Sequence, residues 1–549
     1  MTSQTTTRRA IHAPTLESTS PAWWVPVLLA APAIIPLVSS ILVARARGLV
    51  ATGFVQTDQP YYFAQAREFF DEGFQLLYGN PYAGYDTPRL YFQPHLFLIG
   101  CFQQLGLDPG IIWVFFSILG ALFAAFAGVS LYREIVGWRS LAQKLGLVCF
   151  FWGGGILTLA GFVYAGAIGK LDIPTVLHFD PGPARGWWML NFGRNLVYGP
   201  TEAYYHGIFL LCMLFLIRRR FAVAIALALL LSLSHPFTGI ETSLILAIYL
   251  VVERALGDRS IRPAHLACSL GLFSLHVWYY LVFLNQFADH RALQSQWEAQ
   301  GIMRAWLYPA STFMPALLIV GLFALARLWR WPGLAKVARN PRDRLFLIWV
   351  LIVFALTQHY WVMRPIQPIH FAHGYDWIAL FFLGAPVLMG ALDRLLEIKF
   401  RLLSLSAVSA LVVLFLSDNI FWFATFLRPI TPQAILITRE QSQVLNWLGR
   451  TAAPPDMVVT ADPTLGYLVS TYTSARSWAG HGANTPAYEQ RERESQQAFA
   501  ANVILPAWTA MHVYYLQRSP ADAGWKPPAG SREVFRDAGY AVWESLPAK

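Results

Sequence analysis

The sequence predicts an all-α polytopic membrane protein, with about 11 to 13 transmembrane helices, that ends in a small extracytoplasmic α/β domain. Three observations carry this expectation. Of 549 residues, 56% are hydrophobic, 15% aromatic and only 13% charged, and the mean hydropathy is +0.43, too apolar for a water-soluble chain. Apolar runs close to the roughly 20 residues that cross a hydrocarbon core recur from Trp23 to about residue 427. Beyond Arg428 they stop, and short apolar stretches of strand and helix spacing replace them.

A net charge of +10 in a soluble chain would suggest nucleic acid, but here the arginines stand in short gaps between apolar runs. That pattern is a topology signal, and no nucleic-acid partner is expected. The cysteines, Cys101, Cys149, Cys212 and Cys268, lie in or beside apolar runs without a CxxC pair, so neither a disulfide framework nor a zinc site is indicated.

Taken in order, a polar tail (1–22) with Arg8 and Arg9 precedes an apolar run from Trp23 to Val43. The run is longer than a signal-peptide core and lacks a cleavage site, so it reads as a first span that stays in the protein. Further spans are expected at about 110–132, 143–169, 203–217, 220–234, 237–253, 263–284, 311–330, 345–361, 376–392 and 402–427, and a short apolar run at 91–106 leaves the total open. Placing Arg218-Arg219-Arg220 in the cytoplasm and alternating outward puts Arg133/Arg139/Lys144, Arg254/Arg259/Arg262, the 327–344 linker and Arg394/Lys399/Arg401 inside as well, the expected lysine and arginine bias. The loops 48–93, 171–202, 235–240, 285–310 and 362–375 and everything after 428 then face outward, from a bacterial-type cytoplasmic membrane with the N-terminus inside. Two features resist this scheme. Arg45 and Arg47 stand on the unexpected side, and if 91–106 spans, a neighbour such as 143–169, interrupted by Gly153-Gly154-Gly155, must be broken.

In the C-terminal domain (428–549), Val444, Leu445 and Leu448 give helical spacing over Thr438–Arg450, and Met457-Val458-Val459 reads as a buried strand. Pro486–Val503 reads as a polar helix, and Val513–Leu516 and Tyr540–Trp543 as strands.

Chemistry is sought first in Thr57-Asp58-Gln59-Pro60-Tyr61-Tyr62, which opens the polar loop after the first span. Asp58 before Pro60 is a common helix start, so an N-cap competes with a catalytic carboxylate. The stretch Gly84–His95, which holds Arg89, joins this loop to an apolar run through Pro88 and Pro94; its plain reading is a rigid elbow with interfacial aromatics. Glu202 and His206 are one helical turn apart, so both can face one site, though two residues are too few for a metal. His235 and Glu241 bracket a turn between apolar runs. An acid at the start of a span is costly if it faces lipid, so Glu241 is expected to point inward, as a second acidic group or as a first-turn cap. Between two later spans, Met363–Asp376 supplies Arg364, His370, His373 and Tyr375 as candidate phosphate partners, with interfacial anchoring as the alternative. In the C-terminal domain His481 and Asn484 are placed to reach over the membrane site or to make a local Gly-rich turn.

A span, then a loop opening Thr-Asp-x-Pro-Tyr-Tyr with Ala66 and Gly73 behind it, then Tyr91-Phe92-Gln93-Pro94 entering an apolar run, resembles the GT-C class of integral membrane glycosyltransferases. That class includes protein mannosyltransferases, the aminoarabinose transferases of lipid A and oligosaccharyltransferase catalytic subunits. Trp447-Leu448, Val458–Asp462, Leu465–Leu468 and Arg476–Pro486 are similar to the outer domain of many bacterial members. The resemblance implies transfer of a sugar from a polyprenyl-phosphate-linked donor in the membrane to a lipid, glycan or protein acceptor on the extracytoplasmic side. Asp58 would be the general base or the ligand of a divalent cation such as Mg or Mn, with Glu241 as a second catalytic acid. Tyr61, Tyr62, Arg89, Glu202, His206, His235, Arg364, His370, His373, Tyr375 and His481 would contact substrate. Relatives place an arginine just before the tyrosine entering the span, where this chain has His373-Gly374-Tyr375. A lipid-linked-substrate transporter or flippase, which would want charges near mid-bilayer and broken helices in paired halves, and a non-catalytic envelope-assembly scaffold are the rival readings.

Overall fold

The computed structural model describes residues 21–180, 189–299, 314–329, 332–364, 366–426, 435–522 and 524–547. Arg8, Arg9, part of the expected 171–202 loop (181–188) and the expected loop and span start at 300–313 lie outside the described residues.

The protein is an integral membrane helix bundle carrying a small sheet unit. Its first span, α1 (Trp24–Arg47), is followed by a loop that holds α2 (Gln59–Glu68) and α3 (Pro94–Gln103). The bundle continues with α4 (Pro109–Ile135), α5 (Leu141–Trp152), α6 (Leu157–Ala167), α7 (Phe192–Val197), α8 (Glu202–Ile217), α9 (Phe221–Ser234), α10 (Pro236–Ala255) and α11 (Pro263–Gln286). After α12 (Ala288–Ala299) come α13 (Met314–Trp329), α14 (Gly333–Arg339), α15 (Pro341–Thr357), α16 (Tyr375–Leu396) and α17 (Arg401–Phe426). One large apolar core runs through these helices, with Trp349, Trp377 and Trp422 fully enclosed.

Among the described residues, six helices are long and apolar enough to cross a membrane, up to eight if each of two bent pairs counts as one span. Helices α8 and α9 are apolar but have only 16 and 14 residues. The apolar run at 91–106 becomes the ten-residue α3, about 15 Å long and too short to span. The run at 143–169 is not one helix: α5 and α6 meet at 67° across the glycines. The cause is local packing. A Cβ on Gly155 would sit 2.0 Å from the Pro315 carbonyl oxygen, so the backbones pass too closely for any side chain. The N–H groups freed at the start of α6 are satisfied by Asp418, whose carboxylate accepts from Gly155 (2.8 Å), Leu157 (3.2 Å) and Thr158 (2.9 Å).

The C-terminal unit is a five-stranded sheet in the order β4-β3-β5-β7-β6, in which β3 (Met457–Thr460) runs parallel to β4 (Arg476–Ser477) and β5 (Val513–Arg518). Strands β6 (Arg532–Arg536) and β7 (Tyr540–Ser545) extend it antiparallel. Around it lie α18 (Arg439–Thr451), begun by a Thr438/Gln441 capping box, α19 (Pro463–Tyr472), capped by Asp462, and the polar α20 (Tyr488–Ala501). A two-stranded ribbon, β1 (Val50–Ala51) on β2 (Leu436–Ile437), ties the end of α1 to the beginning of this unit.

Helix α19 also packs against α2, where Thr471 Oγ1 donates to the Pro60 carbonyl (3.0 Å) and Tyr82 Oη donates to that of Tyr467 (3.1 Å). At the centre of this interface Arg476 donates to both Glu68 carboxylate oxygens at 3.0 Å, with its guanidinium 4.1 Å from the Tyr85 ring centre. The loop between α1 and α3 and the sheet unit are thereby locked together.

Candidate active site between the first loop and the sheet unit

Pro60 in the first turn of α2 puts Asp58 at the N-cap position, but its carboxylate makes no capping bond. The oxygens turn outward instead: Oδ2 accepts from Gln56 Nε2 (2.8 Å) and Oδ1 faces His481 Nε2 (3.3 Å). His481 sits in a tight turn after β4, and its Nδ1 accepts from the backbone N–H groups of Ala483 (3.0 Å) and Asn484 (3.2 Å). With that lone pair occupied, the ring presents Nε2–H to Asp58. Tyr61, Tyr82 and Tyr467 surround the ring at 5.3, 5.9 and 5.1 Å between centroids and fix its plane.

Burial opposes ionisation of Asp58, but the hydrogen bond and charge of His481 and the Gln56 amide outweigh it, and the carboxyl is held below its ordinary value. It is therefore a carboxylate at neutral pH, weakly basic but positioned, and its side chain keeps 36% of its exposure.

Beside the dyad opens a cavity of about 660 Å³, reached by Tyr61 on one side and Asn484 on the other. Its walls are aromatic, among them Tyr91, Phe237 and Trp297, with Tyr279 and Tyr280 contributed by a π-helical turn of α11 (Trp278–Phe283). Arg291 and Arg364 line it, and among the described residues no Asp or Glu does. An apolar-tailed anion suits such a lining better than a cation. Helix α12 closes one side: Gln296 Nε2 donates to the carbonyls of Gly482 (3.1 Å) and Thr485 (3.1 Å), and Trp297 Nε1 to Asn484 Oδ1 (3.4 Å), so it rests on the turn that presents His481.

The residues expected from sequence fall into three groups. Asp58, Tyr61 and His481 come together. Arg364 lines the cavity on the far wall. Glu202, His206, His235, His373 and Tyr375 form a cluster buried in the bundle instead of lining the cavity, with the half-buried His370 at its edge. There Glu202 lies 3.5 Å from His373 Nδ1, His206 Nε2 is 2.8 Å from the His373 carbonyl, and Tyr375 stacks on His206 at 4.3 Å. His370 stacks at 4.5 Å on Phe237, which does reach the cavity. Glu241 is fully buried, with no hydrogen-bond partner among the described residues, and does not line the cavity. Tyr62 stacks on Trp113, and Arg89 serves the loop, donating to the Glu68 carbonyl (2.8 Å) and the Glu72 carboxylate (2.6 Å). Sequence reading missed Gln56, the second donor to Asp58, and Tyr82, which no motif marked, and it gave no site role to Tyr467, although the Leu465–Leu468 stretch was singled out.

Both oxygens of Asp58 face N–H donors, with which a divalent cation would have to compete, and among the described residues no group of three His, Cys, Asp or Glu is arranged to hold a metal.

No protein-family model matches the chain, and no curated protein matches it. Among solved structures it is similar to ArnT from Cupriavidus metallidurans bound to undecaprenyl phosphate (12% identity, covering 96% of this chain and 99% of that one, TM-score 0.49). It is also similar to the oligosaccharyltransferase of Archaeoglobus fulgidus in complex with Zn and sulfate (13% identity, 89% and 67%, TM-score 0.47), and to AglB of the same organism with an inhibitory peptide and a dolichol-phosphate (12% identity, 89% and 69%, TM-score 0.47).

Proposed function

We propose that the protein is a membrane glycosyltransferase that moves a sugar from a polyprenyl-phosphate-linked donor to a hydroxyl- or amine-bearing acceptor on the extracytoplasmic side, the side to which this reading assigns the sheet unit. The observation that carries this reading is the Asp58–His481 pair, whose neighbours Tyr61 and Asn484 line an aromatic cavity that holds Arg291 and Arg364 and, among the described residues, no acid. A donor of this class needs an apolar channel for its chain, a cation for its phosphate and a base for the acceptor proton. The aromatic walls suit the first and Arg364 the second.

Asp58 supplies the third. In the chemical step the acceptor heteroatom forms the bond to the anomeric carbon, the bond from that carbon to the phosphate oxygen breaks with its electron pair, and the acceptor proton passes to the Asp58 carboxylate. His481 orients that carboxylate and keeps it ionised. Glu241, enclosed and away from the cavity lining, has no part in the step as drawn.

The test is complementation. Cells lacking the chain are expected to accumulate unspent lipid-linked sugar, visible by mass spectrometry of extracted lipids, and the wild-type chain to clear it. Asp58→Asn, inserted at wild-type level, is expected to clear it about 10²- to 10⁴-fold more slowly, the usual contribution of a positioned general base. Clearance at the parental rate overturns the role of Asp58.

A further inference from the structure

Three glutamines in the cavity beside Asp58 have no part in the chemical step. Gln65 of α2, Gln93 at the N-cap position of α3 and Gln294 of α12 all line it, and in each of them one amide atom is shut off from solvent and has no hydrogen-bond partner among the described residues. Two other polar side chains of the lining are already engaged. Asn80 donates to the Asn484 carbonyl (2.7 Å) and accepts from the Tyr82 N–H (3.0 Å), while His359 donates from Nδ1 to the Leu356 carbonyl (2.6 Å) and accepts at Nε2 from the Ile366 N–H (2.8 Å). A buried amide left unpaired is costly, and Gln65 is only 6% exposed, so the three amides call for a ligand.

Their positions tie them to Asp58. Asp58, Tyr61 and Gln65, at i, i+3 and i+7, share one face of α2 and span about 10 Å along its axis. Tyr61 packs against the His481 ring and lines the cavity together with Gln65. Gln294 stands one turn before Trp297, on the helix that rests on the turn presenting His481.

The chemistry of these groups selects a ligand. A primary amide both donates and accepts, and so does a hydroxyl, so three amides suit a neutral polyhydroxylated ring. An ammonium only donates and a carboxylate only accepts, so each would leave one end of an amide unmatched. Charge also opposes an amine: the lining holds Arg291 and Arg364 and, among the described residues, no acid, so an ammonium would meet no counter-charge. We propose, on the basis of the transferase reading, that Gln65, Gln93 and Gln294 determine specificity for the transferred sugar, seating an uncharged sugar by its hydroxyls and not an amino sugar or a uronic acid.

The test uses the full chain in lipid nanodiscs and measures binding by competition against a fluorescent farnesyl phosphate. The competitors are farnesyl phosphate alone and its glucose, mannose, galactose, arabinose, glucosamine and glucuronic acid derivatives. At least one neutral sugar is expected to tighten binding over farnesyl phosphate alone, by roughly 2- to 12-fold for each amide engaged. The glucosamine and glucuronic acid derivatives are expected to bind about tenfold or more weakly than that neutral derivative. Q65L, Q93L and Q294L are each expected to lose one such factor on the sugar, with binding of farnesyl phosphate alone reporting that the variant is folded. Gln65→Glu, of the same shape, serves where the leucine variant does not fold, and is expected to improve binding of the glucosamine derivative. The proposal is overturned, and the transferase reading survives, if farnesyl phosphate binds but the neutral sugars add nothing, if a charged derivative binds the parent best, or if the leucine variants keep the full gain from the sugar. If neither farnesyl phosphate nor any derivative binds, the transferase reading fails and the proposal with it.

Discussion

Asp58–His481 and Glu202–His373 are both carboxylate–imidazole pairs joined across long stretches of sequence, at 3.3 and 3.5 Å, yet they are built for different ends. In the first, the side chains keep 36% and 10% of their exposure and every hydrogen bond has a fixed direction; in the second they keep 8% and 3% and are enclosed by Tyr375, His206 and the carbonyl network of the 366–375 segment. A pair that can exchange a proton with a substrate needs access and a defined tautomer. A pair without access can only hold helices together, and removing one member leaves the other desolvated without compensation.

The scaffold that makes the first pair accessible gives the largest expected effect on stability. Glu68→Gln strips the charge from a buried carboxylate that receives two bonds from Arg476, and a buried guanidinium left uncompensated costs about 3–5 kcal/mol. The sheet unit is expected to loosen from the first loop, read as protease cleavage near residues 435–440 at temperatures where the parent resists. Undiminished resistance would mean that the loop and sheet are held by apolar contact alone.

A double dissociation sharpens the contrast. Glu202→Gln is expected to cost about 1–3 kcal/mol of bundle stability, because it weakens the only charged partner of His373 among the described residues. Transfer per folded molecule should stay within a few-fold of the parent. Asp58→Asn should do the reverse, keeping the melting profile and losing transfer. If Glu202→Gln loses transfer while fully folded, the buried cluster belongs to the chemistry and the division drawn here fails.

Local pattern made part of this legible. Asp58 before Pro60 marked both a helix start and a loop acid, and the Gly-rich turn around His481 was visible, as was the change of character after residue 428. Distance along the chain hid the rest. Glu68 and Arg476 are separated by 408 positions, and neither has a neighbour that announces the other. The 362–375 loop shows a different failure: Arg364, His370 and His373 read as one cationic set, but Gln367 at φ +42° and the short 3-10 turn Pro368–Phe371 rotate the later residues, so Arg364 reaches the cavity while the histidines turn into the bundle. The break in the 143–169 run was hidden for a physical reason as well. Composition shows where apolar runs are, but not that Gly153–Gly155 break one because another backbone needs the room.

The smallest expected effect probes the direction of the proton in the dyad. His481→Phe keeps a ring among Tyr61, Tyr82 and Tyr467 but removes the N–H that faces Asp58. In the parent, that donor outweighs burial and the folded carboxyl titrates below its unfolded value of about 3.9. Its contribution to stability is therefore present above that range and lost as pH falls through the lower folded value. Without the donor, burial prevails and the carboxyl rises. The variant's stability deficit should then shrink on acidification, and the acid limb of kcat/KM should move to higher pH, with about a tenfold lower rate on the plateau. An acid limb that stays in place while the rate falls would mean that His481 touches substrate directly and does not tune Asp58.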